Sequence, residues 1–409
     1  MRLVKLTFAL AIALSLCGQE TWWVPSLRAP QIDYYSESHT GAVSRLQQRL
    51  DKGESKLTYN DKWGYLDSVL RELGIAVSSQ TLVFSKTSMQ AARIGPDHPR
   101  ALYFGDDVYA GLVRGGLLEI AEADPVKGAI FYTLEQKKTD HPRFLRRNEE
   151  CLKCHFGVNT QGIPGFLTRS LFVDSSGEPI PEAGAFLTDH RSPLSQRWGG
   201  WYVTGTHGAA RHLGNGVASG SNHRVDSERG ANVTSLRGRL NLTFYPAAGS
   251  DIVALMVLDH QVRMHNLFVR LAYEASLDRP ELPATVETAV RYMLFVDEAP
   301  LRDRTEGSGS FRADFEAEGP NDLQGRSLRQ FDLQTRLFRY PCSFLIYADS
   351  FESLPARAKD LVYRRLFDVL TGADGSGAFA RLSADQRRAV LEILIATKPS
   401  LPPYFRKAR

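Results

Sequence analysis

The sequence predicts an α+β protein with N-terminal helices, a central and mostly antiparallel sheet region, and a helical C-terminal part. Three observations predict this class. Apolar residues recur at three- and four-residue spacing before about residue 75, short β-type runs fill the middle of the chain, and helical patterns return after residue 247. Because helices and strands occupy separate parts of the chain and do not alternate, α+β is favoured over α/β.

The N-terminal and central elements follow from these patterns. Helices are predicted over residues 42–50 and 62–73. Strands are predicted over residues 81–84, 100–104, 128–134, 165–173, 199–204 and 240–245. The run 165–173 is followed by Asp174-Ser175-Ser176-Gly177, a turn sequence that predicts a hairpin.

The C-terminal part is predicted to be helical over residues 251–274, 286–295 and 354–370. The first of these helices is apolar most of the way round, so it should lie in the core. A last helix should begin after Ser383, where Ser383 and Gln386 form a capping box, and end before Pro399. Residues 307–324 are rich in Gly, Ser and acidic residues and predict an exposed or mobile loop.

The N-terminus has the pattern of a secretory signal peptide. Arg2 and Lys5 precede an uncharged apolar run over residues 6–16, which is too short to span a bilayer. Cys17 also suggests lipid attachment, but Leu16 before it is larger than the residue usual there, so simple cleavage is favoured. We therefore expect a signal peptide over 1–18, an α+β domain over 19–246, a helical region over 247–409, and a periplasmic or cell-surface location without a transmembrane span.

The charge of the chain excludes one class of partner. The chain has 50 Lys and Arg residues and 46 Asp and Glu residues, so its formal charge is +4 over 409 residues. Nucleic-acid binding normally needs a concentrated basic surface. No nucleic-acid partner is expected.

The strongest motif is Cys151-Leu152-Lys153-Cys154-His155, which contains two of the four cysteines. It matches the C-x-x-C-H haem attachment motif, so the chain resembles c-type cytochromes over these five residues and the export signal. The resemblance implies one haem c, bound covalently through Cys151 and Cys154, with His155 as an axial iron ligand. Export and haem attachment agree, because this haem is attached outside the cytoplasm.

Three other interpretations of the motif are less favoured. A structural disulfide between residues this close is uncommon and contributes little through loop closure. A structural zinc site would need two more ligands, which Cys342 alone does not supply. A dithiol redox centre would need a βαβ background, which the surrounding pattern lacks. Cys342 itself is predicted to be an ordinary buried thiol.

The sixth iron ligand decides what such a haem does. Met256, His260 and Met264 are spaced by four on the long helix and form one stripe. His260 is the candidate distal ligand, because a buried imidazole needs a partner. His207 and His212, in a Gly-rich loop, form a second candidate cluster.

Electron transfer to redox partner proteins is the favoured function, since a second strong ligand would make a carrier and not a catalyst. A haem-based sensor or small-ligand-binding protein is the alternative, because 409 residues is more than a carrier needs. The strand rhythm around the motif also faintly resembles PAS-type sensor domains. A haem peroxidase is a third possibility, but di-haem peroxidases and multihaem reductases carry at least two motifs, and this chain has one.

Overall fold

A computed structural model of the chain describes residues 23–37, 41–124 and 126–407. Its helices are α1 Ala42–Asp51, α2 Leu66–Glu72, α3 Glu149–His155, α4 Ser227–Gly230, α5 Ile252–Ser276, α6 Leu282–Met293, α7 Phe311–Ala317, α8 Asp349–Glu352, α9 Ala356–Leu370 and α10 Ala384–Thr397. Its strands are β1 Thr81–Val83, β2 Arg100–Phe104, β3 Val108–Leu112, β4 Leu118–Asp124, β5 Gly128–Leu134, β6 Phe144–Arg146, β7 Arg169–Leu171, β8 Ala185–Leu187, β9 Trp201–Tyr202, β10 Gly205–Thr206, β11 Ala218–Ser219, β12 Arg224–Val225 and β13 Glu306–Gly307.

The central sheet has seven strands in the order β6-β5-β4-β3-β2-β1-β9, and all its neighbouring strands are antiparallel. Both of its faces are covered. Successive side chains of a strand point to opposite faces of a sheet. The buried apolar residues on the two faces belong to two separate hydrophobic clusters. One face packs with α1 and α2, and the other faces α5.

Helix α5 is the central element of the second face. The Asp251 side chain caps it by accepting hydrogen bonds from the backbone N–H groups of Val253 and Ala254. The helix is buried at 23 of its 25 positions, so it is surrounded by the sheet on one side and by C-terminal helices on the other. The predicted parts 19–246 and 247–409 both contribute to this one cluster of buried apolar residues.

The structure confirms the α+β class and most of the expected elements. The helices predicted near residues 42, 251, 286, 354 and 384 are present, and the Ser383 capping box forms as expected. The turn at Asp174 also forms, with Val173 bridged to Pro179. Among the described residues, no helix has the length and apolar character needed to cross a bilayer. The signal peptide expected over residues 1–18, with Cys17, lies outside the described residues.

Two expectations were wrong. Residues 240–245 do not form a strand but a 3₁₀ turn, Leu242–Phe244, capped by the side chain of Asn241. The expected exposed loop at 307–324 contains helix α7, whose Phe311 and Phe315 are buried in the core. The i, i+4 spacing of these two phenylalanines is a helical pattern that the surrounding Gly, Ser and acidic residues obscured.

Candidate functional site

The C-x-x-C-H motif lies on the short helix α3, directly after the edge strand β6. Leu152 anchors this helix, because its side chain is buried in a small cluster with Tyr34 and Ile163. The other motif residues face the opposite way: Cys151 and His155 are partly buried and Cys154 is exposed. Cys151, Cys154 and His155 all line the same cavity.

This cavity has a volume of about 330 Å³, within the range of small-molecule and cofactor sites. It lies between α3, one face of the central sheet and helix α5. The sheet contributes the cavity floor, and Leu258 and Val262 line it from α5. The walls are mainly apolar and aromatic, and include Val83, Leu102, Tyr109, Phe131, Phe166, Leu171 and Trp201.

Small residues in the sheet leave room for the cavity. Ala121 lies between the large Tyr109 and Phe131 in one cross-strand row. Gly111 lies between Leu102 and Glu119 in the next row. A Cβ atom at Gly111 would approach the Leu102 side chain to 3.2 Å. A side chain at this position would therefore crowd the floor that Gly111 keeps open.

Hydrogen bonding fixes the tautomer of His155. Its Nδ1 lies 2.9 Å from the carbonyl oxygen of Gly165, and a carbonyl can only accept, so Nδ1 carries the proton. Nε2 is therefore the nitrogen with a free lone pair. Histidines that bind metals usually donate their other ring N–H to a carbonyl or carboxylate in this way.

The electrostatic surroundings keep His155 neutral. Burial, with a smaller effect from the nearby guanidinium groups of Arg100 and Arg169, lowers its pKa to about 4. The hydrogen bond to Gly165 acts in the opposite direction but is outweighed. The ring also packs on Phe131, with centroids 4.7 Å apart. A neutral imidazole with a lone pair on Nε2 is the form that binds a metal.

The Gly165 carbonyl is itself held in place by helix α5. Asn266 accepts a hydrogen bond from the backbone N–H of Phe166 at 2.8 Å and donates to its carbonyl at 2.9 Å. The Gly165 N–H also bonds to the carbonyl of His155. A Cβ atom at Gly165 would lie 2.5 Å from Oδ1 of Asn266, so only glycine fits this close approach.

The thiols of Cys151 and Cys154 are not joined in a disulfide. Burial, the largest cause, and the carboxylates of Glu119 and Glu150 raise the pKa of Cys151 to about 12. A dithiol redox centre needs the opposite, a thiol whose pKa is lowered. This environment gives the dithiol interpretation no support.

One charged pair interrupts the apolar lining. Nη1 of Arg100 lies 2.8 Å from Oε2 of Glu119, and Glu119 also accepts from Ser88 and Gln90. Burial raises the pKa of Glu119, but Arg100 and these hydrogen bonds outweigh it and hold the pKa below its usual value. Nε of Arg100 is buried without a hydrogen-bond partner, so this wall offers a cation with an unused donor.

Met89 also lines the cavity, although its side chain is 48% exposed. Its neighbours Ser88 and Gln90 are both bound to the carboxylate of Glu119. The loop is therefore anchored on either side of an exposed thioether. Of the cavity-lining residues that the structure describes, Met89 is the one methionine and His155 the one histidine.

The structure does not bring His260 to this cavity. Its Nδ1 lies 2.8 Å from Nδ1 of His190, and its Nε2 lies 2.8 Å from the hydroxyl of Ser343. Both ring nitrogens already have partners. Met256 and Met264 are buried in the same core and also lie outside the cavity lining. The stripe of Met256, His260 and Met264 is therefore not placed to form the distal side of a haem in this cavity.

The second candidate cluster is elsewhere too. Nδ1 of His207 bonds to the carbonyl of Ala210, and Nδ1 of His212 accepts from the N–H of Gly214. The two rings lie 4.7 Å apart, outside the cavity lining. Cys342 is fully buried, and burial raises its pKa to about 12, which agrees with an unreactive thiol.

No protein-family model, curated protein or solved structure matches this chain. Among the residues that the structure describes, no three His, Cys, Asp or Glu side chains are grouped as metal ligands. The zinc interpretation thus has no ligand set in this part of the chain.

Sequence reasoning located the motif but missed the rest of the cavity. Arg100, Glu119 and Met89 carried no motif of their own. Gly111 lies inside strand β3, and a glycine in a strand is a signal of close approach or of space for a ligand. That signal was present in the sequence.

Proposed function

We propose that this protein is an exported monohaem c-type cytochrome that binds haem in the cavity beside α3 and transfers electrons between redox partner proteins. One observation carries the proposal. Both motif thiols and a neutral His155, with Nδ1 held by the Gly165 carbonyl, line a single apolar cavity. Thiols for covalent attachment, an imidazole with a free Nε2 and an apolar enclosure are the parts that a haem c site needs.

Each part of the site has a role in holding the cofactor. Cys151 and Cys154 would form the thioether bonds, and His155 would bind the iron through Nε2. Arg169 lines the same cavity and would pair with a haem carboxylate. When bound, the haem would supply a one-electron redox centre, whose potential the axial ligands and the apolar lining tune.

The position of the motif suits exchange of electrons with a partner. Cys154 is exposed, and Met89 at the cavity is about half-exposed. The cavity therefore reaches the protein surface and is not enclosed in the core. A docked partner protein could approach the cofactor closely there.

The proposal is tested by producing the full chain in a host with a haem-attachment pathway. The protein should stay coloured after denaturation and acid–solvent extraction, and its mass should exceed that of the mature chain by one haem. Changing Cys151 and Cys154 together to Ala should abolish the covalent haem. The matched Cys342→Ala variant should retain it, because this thiol is fully buried away from the cavity. Colourless protein, or protein with bound zinc, would contradict the proposal.

One observation favours a second candidate, a haem protein that binds a small ligand as a sensor. The Arg100–Glu119 pair places a charged, hydrogen-bonding wall inside the cavity, which a pure electron carrier does not require. Carbon monoxide binding to the reduced protein separates the two. Immediate binding in the parent protein would favour the sensor, and a resistant low-spin spectrum would favour the carrier.

A further inference from the structure

The cavity beside α3 opens to solvent through a rim of exposed side chains. Of the described residues that line the cavity, four are exposed: Met89, Glu150, Lys153 and Cys154. We call these four residues the mouth. Met89 lies on the segment after β1, and the other three lie on α3, which follows β6 at the opposite side of the sheet. A cofactor in the cavity would come closest to a partner protein here.

The charges at the mouth do not cancel. The carboxylate of Glu150 lies 4.0 Å from Nη1 of Arg147. Deeper in the lining, the carboxylate of Glu119 is paired with Arg100 at 2.8 Å. Lys153 has no carboxylate at ion-pair distance in the part of the chain that the structure describes. The mouth therefore carries one positive charge that no carboxylate of the protein neutralises.

Two more exposed cations lie beside the segment that carries Met89. Arg93 follows Met89 by four residues and lies against the turn between β3 and β4, where its Cδ would be 3.2 Å from a Cβ atom at Gly116. Arg114 on the same turn is also exposed, and its guanidinium lies over the ring of Phe244. Among the described residues, neither arginine has a carboxylate at ion-pair distance. Positive charge therefore lies on both sides of the cavity opening.

Bound haem would not reverse the sign of this charge. A haem with both carboxylates ionised carries one negative charge when ferric and two when ferrous, and Arg169 would offset one of them. Glu149, exposed at the start of α3, adds one more negative charge. Lys153, Arg93 and Arg114 outweigh the negative charges that remain. The surface around the mouth is therefore positive in both oxidation states.

We propose that the mouth is the docking surface for an electron-transfer protein whose own redox centre is bordered by carboxylates. This inference rests on the proposed function. Opposite charges on the two proteins raise their rate of encounter and fix their relative orientation. Leu187 supplies apolar contact, because its side chain is 48% exposed. It pairs across the strands with Arg169, which lines the cavity, so both side chains point to one face.

The first test measures the charge at the mouth. The reduced, haem-loaded full chain is mixed with ferricyanide, an anionic oxidant, or with cobalt(III) tris-phenanthroline, a cationic oxidant, and each takes one electron from the haem. Raising the ionic strength from 0.01 M to 0.15 M shortens the Debye length from about 30 Å to about 8 Å. Oxidation by ferricyanide should become slower, and oxidation by the cobalt complex should become faster.

Three variants assign this effect to the mouth and not to the net charge of the chain. At low ionic strength, Lys153→Glu and Arg93→Glu should each slow oxidation by ferricyanide and accelerate oxidation by the cobalt complex. Lys56→Glu is the matched control, because it makes the same charge change at an exposed lysine beside Leu57, whose cluster lies on the other face of the sheet. It should leave both rates near those of the parent. A changed haem potential would alter both rates in the same direction, so opposite changes report local charge.

The second test uses an oxidised acidic blue-copper protein as the electron acceptor. Its second-order rate with the reduced parent should fall as ionic strength rises. Lys153→Glu and Arg93→Glu should each lower that rate at low ionic strength, by about tenfold. Equal rates for the haem-loaded parent and both variants, or a parent rate that rises with ionic strength, would overturn the docking inference alone. Protein without covalent haem would instead contradict the proposed function itself.

Discussion

At the scale of single residues, Met89 is the cavity-lining side chain that could supply a sulfur ligand to the proposed haem. It is the only methionine among the described residues of the cavity lining, and its thioether is about half-exposed. Exposed apolar side chains are common when they are scattered. Here, however, Ser88 and Gln90 fix the loop on either side through hydrogen bonds to Glu119, so Met89 stays at the cavity lining.

If the protein binds the proposed haem, we expect Met89 to provide its second axial ligand. Met89→Leu keeps the volume but removes the sulfur, so the protein should still bind haem covalently. Its potential should fall, on the order of 0.1 V within the roughly 0.8 V range that axial ligands span, because a thioether ligand raises the potential. Spectroelectrochemistry and carbon monoxide binding measure both effects.

Met264→Leu is the matched control, since Met264 is fully buried outside the cavity. It should change stability by less than about 1.5 kcal/mol and leave the potential unchanged. If Met89→Leu behaved like this control, Met89 would not be a ligand. The sixth position would then be open, as the sensor alternative requires.

At the scale of elements, the sequence predicted the positions of the helices well. It did not predict which face of α5 lines the cavity. Helix α5 was expected at residues 251–274 and is found at Ile252–Ser276. Its cavity-facing residues are Leu258 and Val262, and not the stripe that contains His260. Periodicity can identify a buried face only when another face is exposed, and α5 is buried nearly all round.

The sheet shows a similar limit. Strands β2 and β5 were predicted, whereas β3 and β4 between them were not. Both missed strands contain residues that weaken a β pattern, such as Gly111 in β3 and Glu119 in β4. Those same residues form the cavity floor and its charged wall. Local preference thus failed at the candidate site, where the needs of packing around the cavity override propensity.

Helix α5 positions His155 indirectly, because Asn266 on this helix binds Phe166, next to the Gly165 carbonyl that accepts from His155. Gly165→Ala should disturb it, because the new Cβ would lie 2.5 Å from Asn266. We expect a loss of about 1–3 kcal/mol of unfolding free energy. In the proposed haem-loaded protein, His155 should also be released from the iron at a higher pH, since its carbonyl partner would move. Acid titration of the haem spectrum measures this release.

Gly375→Ala is the control for this change, because nothing lies within 4 Å of a Cβ atom at Gly375. This variant should match the parent in stability and in its acid transition. An unchanged acid transition in Gly165→Ala, despite lower stability, would show that the carbonyl does not position the imidazole. Gly165 would then matter for packing alone.

At the scale of the whole molecule, buried histidines make stability depend on pH. Burial lowers the pKa of His212 and of His260 to about 3 in each case. The unfolded chain binds these protons near pH 6.5. Their contribution to stability is therefore complete above about pH 6.5 and is lost as pH falls from there toward 3. Burial raises the pKa of Asp259 to about 6. Protonation of this one carboxyl in the folded state adds stability as pH falls and so offsets part of the loss from the histidines.

We therefore expect the free energy of unfolding, measured by denaturant titration, to fall between pH 7 and pH 4.5. Each of the two histidines should contribute at most about 1.4 kcal/mol per pH unit. His212→Asn keeps an acceptor for the Gly214 N–H but no longer titrates, so its profile should be flatter than that of the parent. His141→Asn changes an exposed histidine and should follow the parent. Parallel profiles for His212→Asn and the parent would mean that His212 is protonated in the folded state, and that its burial does not set the acid limit of this fold.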